Sequence, residues 1–114
     1  MENLTELEKK VLKVYLADQC VYDFGYGALT FMSLINQVNS NLIAEWFKNN
    51  PKKVMNDETT LTENQMKGIL SSLVKKEIIE CEDYESNESN AIYLNSKFRS
   101  NEALLNQYKE AVIN

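Results

Sequence analysis

The side chains best suited to chemistry lie in LTENQMKGILSSLVKKEIIE, residues 61–80. Apolar residues recur in this segment at helical spacing, which predicts an amphipathic helix with a buried stripe. At 100° per residue, the opposite side of that helix is polar. The residues of this polar side are Asn64, Gln65, Lys67, Gly68, Ser71 and Lys75. They offer amide, hydroxyl and ammonium groups, so the chemistry they favour is hydrogen bonding and charge pairing with another molecule.

The start and the centre of this helix carry two further signals. Thr62 is a good N-cap, and Glu63 suits the first turn because of the helix dipole. Gly68 is unusual in a helix interior, where glycine costs about 1 kcal/mol relative to alanine. At the centre of an exposed side it permits another surface to approach closely. The alternative is that this side is polar because water covers it and that a single glycine is tolerated.

The groups that most enzymes need are missing from the sequence. It contains no histidine, and Cys20 and Cys81 lie far apart without Cys-x-x-Cys spacing. These facts exclude most zinc motifs and the usual catalytic triads. The sequence has no phosphate-binding glycine loop either. We therefore expect no enzyme, no cofactor and no metal site, and we expect both cysteines to be buried, reduced thiols.

The composition is that of one globular domain. The chain has 114 residues, of which 44% are hydrophobic and 25% charged, and both fractions suit a single modest core. Its apolar runs are too short to span a membrane, and the N-terminal residues MENLTELEKK lack the apolar stretch of a signal peptide. We expect a soluble cytoplasmic protein without a membrane partner.

Two helices are predicted before the polar-sided one. Thr5 and Glu8 have the spacing of a capping box, which predicts a helix start. The apolar residues that follow form two stripes, so this helix is expected to contact both its own core and a partner. The stripes are Leu7, Val11, Val14 and Tyr15 on one side, and Leu12, Leu16 and Cys20 on the other. Residues 30–50 also keep a helical period, but Asn39, Ser40 and Asn41 leave open whether they form one helix or two.

The pattern changes from helix to strand after Lys76. Ile78, Ile79 and Cys81, followed by a polar turn and residues 91–94, predict a β-hairpin. Ser100 then caps a last helix whose apolar residues point one way. The expected fold is therefore mainly α with a small β-hairpin (α+β). It is a single domain of residues 1–114, with a core of residues 5–95 and a C-terminal helix of residues 100–114.

This order of elements resembles the winged helix-turn-helix group, especially small regulators of the MarR-like type. The resemblance covers roughly residues 5–95 and rests on LTENQMKGILSSLVKKEIIECED followed by AIYLN. It implies a winged helix with an additional C-terminal helix, in which helix 62–76 reads the major groove of double-stranded DNA. The implied DNA-binding residues are Thr62, Asn64, Gln65, Lys67, Gly68, Ser71 and Lys75. The sequence departs from the pattern at Glu77, where glycine is usual, and in an acidic hairpin where such hairpins are commonly basic.

Charge leaves room for a second function. The net charge is −5, whereas DNA-binding proteins are typically basic. Helix 62–76 supplies Lys67, Lys75 and Lys76 against Glu63, but residues 77–90 hold six acidic residues and no basic one. We therefore predict a hairpin that does not contact DNA. The alternative function is an acidic protein-interaction module, or an inhibitor of a host nucleic-acid enzyme of phage-like, mobile-element origin, that engages its partner through hairpin 82–90.

The terminal helices raise the question of a dimer. Regulators of the MarR-like type pair through these helices, so the resemblance implies a homodimer with two DNA-reading helices. The candidate protein-interface residues are Leu12, Leu16, Leu104, Leu105, Tyr108 and Val112. A monomer would instead pack the last helix against the first. The same residues satisfy both arrangements, so the sequence leaves the choice open.

Overall fold

A computed structural model describes residues 3–18, 29–52, 59–82, 91–98 and 100–113 of the chain. Within these ranges the protein is mainly helical with one small antiparallel sheet, as the sequence predicts. The helices are α1 (Glu6–Ala17), α2 (Phe31–Asn49), α3 (Glu63–Lys75) and α4 (Glu102–Ile113), with a 3-10 turn at Ser96–Phe98. The strands are β1 (Leu29–Thr30), β2 (Ile79–Glu82) and β3 (Ala91–Leu94).

Capping boxes start two of the helices. The sequence predicts the box of α1 and the N-cap Thr62 of α3, but not the capping role of Gln65. In α1 the Thr5 hydroxyl accepts from the Glu8 N–H at 3.1 Å, while the Glu8 carboxylate accepts from the Thr5 N–H at 2.8 Å. In α3 the Thr62 hydroxyl accepts from the Gln65 N–H at 3.2 Å, and Gln65 Oε1 accepts from the Thr62 N–H at 2.9 Å. These bonds satisfy backbone groups that a helix leaves unpaired at its first turn.

Helix α2 is continuous through the polar residues that left its division open. Ser40 and Asn41 donate back to carbonyls one turn earlier in the same helix, which is compatible with a continuous helix. Asn39 instead reaches the segment before α3. Its amide donates to the Leu61 carbonyl at 3.1 Å, and its oxygen accepts from the Leu61 N–H at 2.8 Å. Asn39 thus ties the entry of α3 to the middle of α2.

The sheet contains the predicted hairpin and one unpredicted strand. Strands β2 and β3 pair antiparallel, with Ile79 opposite Leu94 and Cys81 opposite Ile92. Strand β1 pairs antiparallel with the other edge of β3, so the strand order is β1-β3-β2. A strand of two residues has no periodicity to detect, which is why the sequence pattern misses it. The hairpin tip, residues 83–90, lies outside the described residues.

Helix α1 lies at the centre of the core. It packs against α2, α3 and α4, and the Tyr15 hydroxyl accepts from the Leu94 N–H of β3 at 3.1 Å. Its buried residues Val11 and Tyr15 come from one predicted stripe, and Leu12 and Leu16 come from the other. Both stripes of α1 therefore serve the core of the same chain. In the described part of the chain, each helix is too short or too polar to cross a membrane.

Candidate nucleic-acid interface

Helix α3 presents the predicted polar side to the outside. Met66, Leu70 and Leu73 are buried beneath it. Gly68 is exposed, and a Cβ built on it would meet no atom within 4 Å, so the centre of this side is bare helix backbone. The exposed side chains around Gly68 are Asn64, Lys67, Ser71 and Lys75. We call these five residues the outward face of α3.

Two of the predicted DNA-binding residues cap the N-terminus of α3. Thr62 and Gln65 are exposed, but each uses its side-chain oxygen in the capping box. A bidentate contact between Gln65 and adenine requires both ends of the amide, so it would cost the bond to the Thr62 N–H. Asn64 carries the amide of this helix turn that is directed outward without a capping role. Thr62 and Gln65 thus position the outward face rather than extend it.

An apolar groove lies beside the outward face and was not predicted. Its volume is about 260 Å³, and it separates α3 from the sheet and from the first residue of α2. The residues that line it are Phe31, Lys67, Leu70, Ser71, Val74, Cys81 and Ile92. Val74 is 41% exposed, so the groove offers apolar surface to solvent directly next to the polar face. Four separate elements form it, and no local pattern in the sequence reveals such a site.

The groove also corrects the prediction for Cys81. The sequence predicted two buried thiols, but Cys81 is exposed and lines the groove. Strand β2 lies at one edge of the sheet, and alternation along the strand does not bury a residue where the neighbouring helix leaves a gap. Cys20 lies outside the described residues. At the rim, the exposed Lys67 ammonium lies 6.0 Å from the centroid of the Phe31 ring, within the range of a weak cation–π contact.

A buried carboxylate lies behind α3. Glu8 of α1 is 2% exposed, and its Oε1 accepts from the Lys76 ammonium at 2.6 Å. Its Oε2 accepts from the Ser72 hydroxyl at 2.9 Å. Lys76 also donates to the Asn3 carbonyl at 2.9 Å. Lys76 is therefore turned away from the outward face, so it does not add to the charge of that face, although the sequence places it on helix 62–76 with Lys67 and Lys75. Lys67 and Lys75 remain.

These contacts determine the charge of Glu8. Burial alone would raise the pKa of its carboxyl. The Lys76 ammonium, the Thr5 backbone N–H, and the Ser72 and Thr5 hydroxyl groups outweigh burial, and together they hold the pKa of Glu8 below its ordinary value. Glu8 is therefore a carboxylate at neutral pH, and it neutralises Lys76 within the protein.

The chain leaves helix α3 at Glu77, the residue that stands where the winged-helix pattern usually has glycine. The Glu77 N–H donates to the Val74 carbonyl and the Ile78 N–H donates to the Leu73 carbonyl, both at 3.0 Å. These two bonds form a Schellman motif, which needs a left-handed residue after the helix cap. Glu77 adopts that conformation, with a φ of 59°. The expected glycine geometry is thus present without the glycine, and it directs the chain from α3 into β2.

The six candidate interface residues lie in or next to the core of the chain. Helix α4 packs against α1, and the Tyr108 and Phe98 rings form an edge-to-face pair with centroids 4.5 Å apart. The buried members of the set are Leu12, Leu16, Tyr108 and Val112, and the half-buried members are Leu104 and Leu105. This is the packing that a monomer requires, and a homodimer through these helices stays a prediction.

Two other predictions concern sites that the described residues test little or not at all. Most of hairpin 82–90, the predicted contact for a protein partner, lies outside them. Among the residues that the structure describes, no group of three or more His, Cys, Asp or Glu side chains is arranged to hold a metal ion.

The chain matches no protein-family model, no curated protein and no solved structure.

Proposed function

We propose that this chain is a small winged-helix transcriptional regulator that binds double-stranded DNA with α3 in the major groove. The order of its described elements supports this proposal. Three helices precede the hairpin, and β1 pairs with β3 to give the sheet order β1-β3-β2. This order is similar to that of a winged helix with an additional C-terminal helix.

The observation that carries the proposal is the outward face of α3. A bare glycine backbone at its centre lets the helix approach the edges of base pairs closely. Asn64 can bond adenine through both ends of its amide, Ser71 can donate or accept, and Lys75 can reach guanine or a phosphate. The major groove admits an α-helix, so these side chains can reach the base edges there.

The small number of outward cations sets the expected salt dependence. Each neutralised phosphate adds about 0.9 to the slope of log affinity against log salt concentration. Lys67 and Lys75 can neutralise two phosphates, so we expect a slope with a magnitude of about two. Binding should therefore be weak at physiological salt and clear at low salt, which fits a protein with a net charge of −5.

The test is fluorescence anisotropy with random AT-rich duplexes at several salt concentrations. We expect the double variant Asn64→Ala, Lys75→Ala to lose binding. The matched control is Asn106→Ala, Lys109→Ala on α4. It removes the same two side-chain types from a different helix, more than 30 residues later in the sequence. If wild type does not bind even at low salt, or if both variants lose binding equally, the proposal fails.

The apolar groove supports a second candidate function, which is a protein-interaction module. Protein interfaces centre on buried apolar anchors, and the exposed Val74 beside Cys81 offers a place for one. The partner would be a basic protein such as a host nucleic-acid enzyme, attracted by hairpin 82–90. A pull-down with Asp83, Glu85 and Glu88 changed to serine tests this function. This function is favoured over DNA binding if wild type binds no DNA and captures an enzyme that the serine variant does not capture.

A further inference from the structure

The contacts of Glu8 with the last turn of α3 have a consequence for the outward face. Ser72 and Lys76 are one helical turn apart, so both point to the same side of α3. Ser71 and Lys75 immediately precede them in the sequence. Successive helical residues point in directions about 100° apart. Contacts that fix the directions of Ser72 and Lys76 therefore fix the rotation of the helix about its axis, and with it the directions of Ser71 and Lys75.

The two ends of α3 are held in different ways. At its start, Asn39 bonds both backbone groups of Leu61, so the entry of the helix is fixed by two hydrogen bonds. Along its length, Met66, Leu70 and Leu73 contribute apolar burial, which is not directional and permits small rotations. Near its end, the directional contacts from α1 are those of Glu8. The Glu8 carboxylate is therefore placed to set the rotation of the C-terminal half.

We propose that Glu8 is a positioning residue for the outward face, and this proposal rests on the proposed DNA-binding function of α3. The carboxylate touches no DNA. It holds Ser72 and Lys76 against α1, so that Ser71 and Lys75 keep the directions in which they meet the major groove.

The test is Glu8→Gln, which keeps the shape of the side chain and an oxygen that can accept from the Thr5 N–H. The control is Glu6→Gln, the same change in the same helix turn at an exposed residue whose ion pair with Lys9 is 3.9 Å long. Binding is measured by anisotropy at a temperature where circular dichroism shows every variant to be fully folded. A purely structural role of Glu8 does not change affinity under that condition.

Glu8→Gln is expected to bind AT-rich duplex about tenfold more weakly, equivalent to about 1.4 kcal/mol, with an unchanged salt slope. Amide hydrogen exchange should accelerate more in residues 72–76 than in α2, because α2 responds only to the lower global stability. Glu6→Gln should match wild type in both measurements. If Glu8→Gln does not fold, Ser72→Ala replaces it, because that change removes one hydrogen bond and leaves the ion pair with Lys76 in place.

Three outcomes overturn the proposal. The first is that folded Glu8→Gln binds as tightly as wild type. The second is tighter binding with a steeper salt slope, which means that a released Lys76 contacts phosphate. The third is that exchange in residues 72–76 accelerates no more than in α2. If wild type binds no DNA, the proposed function fails separately, and the exchange measurement alone decides whether Glu8 positions the end of α3.

Discussion

At the scale of single residues, Glu8 and Lys76 show how a buried charge becomes part of a small core. Removing a carboxylate from water is unfavourable, but an ammonium, a hydroxyl and a backbone N–H replace the lost hydration. The pair joins the first turn of α1 to the cap of α3, so two helices that are distant in the sequence share one charged contact. Its energetic effect depends on pH.

We expect Glu8 to stabilise the fold at neutral pH and to lose this effect in acid. The folded state lowers the pKa of Glu8, so its contribution is complete above the ordinary glutamate pKa and disappears as the pH falls through the folded-state value. Urea unfolding should show Glu8→Gln to be less stable by about 2 kcal/mol at pH 7, the size of a hydrogen bond to a charged group. The difference should shrink below about pH 4.3. A difference that stays constant down to pH 3 would contradict the lowered pKa.

Glu77 is a second residue whose role depends on backbone geometry. Its left-handed conformation costs a residue with a Cβ more than it costs glycine. We expect Glu77→Gly to raise the free energy of unfolding by about 0.5–1 kcal/mol. Glu77→Ala is the control, since it keeps the strain and removes only a long, exposed ion pair with Lys97. Equal stability of the glycine and alanine variants would show that the strain is negligible.

At the scale of elements, α3 combines a capped start, a buried stripe and a bare centre. A larger side chain at Gly68 has room in the free protein, so Gly68→Leu should leave the fold intact and raise the stability of α3 by up to about 1 kcal/mol. The same side chain should block close approach to DNA and weaken binding at least about tenfold, or about 1.4 kcal/mol. Asn106→Leu on α4 is the control in the anisotropy measurement. Unchanged DNA affinity of Gly68→Leu would show that the outward face is merely solvated.

The connection between α2 and α3 depends on Asn39. Asn39→Ala removes both hydrogen bonds to Leu61, and we expect it to lower the free energy of unfolding by about 1–2 kcal/mol. Asn41→Ala, two residues later in the same helix, removes only a bond to a carbonyl of α2 and should be nearly neutral. Thermal unfolding of the two variants separates the tertiary contact from helix propensity. Equal destabilisation would mean that the contact with Leu61 contributes nothing.

At the scale of the whole molecule, the packing of α4 against α1 determines what the terminal helices can do. Leu12 and Tyr108 are buried within one chain, so Leu12→Ala should destabilise the protein by about 2–5 kcal/mol through a cavity in its core. Unfolding midpoints of wild type and of this variant that are independent of protein concentration would show a monomer. Midpoints that rise with concentration, together with twice the chain mass in light scattering, would show the homodimer instead.

The sequence by itself determined the features that depend on neighbours along the chain. The predicted capping residues Thr5, Glu8 and Thr62 act within three positions, and the buried stripe of α3 follows from a period of 3.6 residues. The polar side of α3 and the hairpin after it could be predicted for the same reason. The sequence shows that Glu77 stands where the winged-helix pattern usually has glycine, but it does not show that Glu77 adopts a left-handed conformation.

Tertiary structure decided the features that depend on residues far apart in the chain. Glu8 meets Lys76, and Asn39 meets Leu61, only because helices pack side by side. Cys81 is exposed because α3 leaves a groove beside the sheet, and strand β1 exists because β3 offers it an edge. Such contacts require a particular packing of several elements, and the periodicity of any one segment contains no information about that packing.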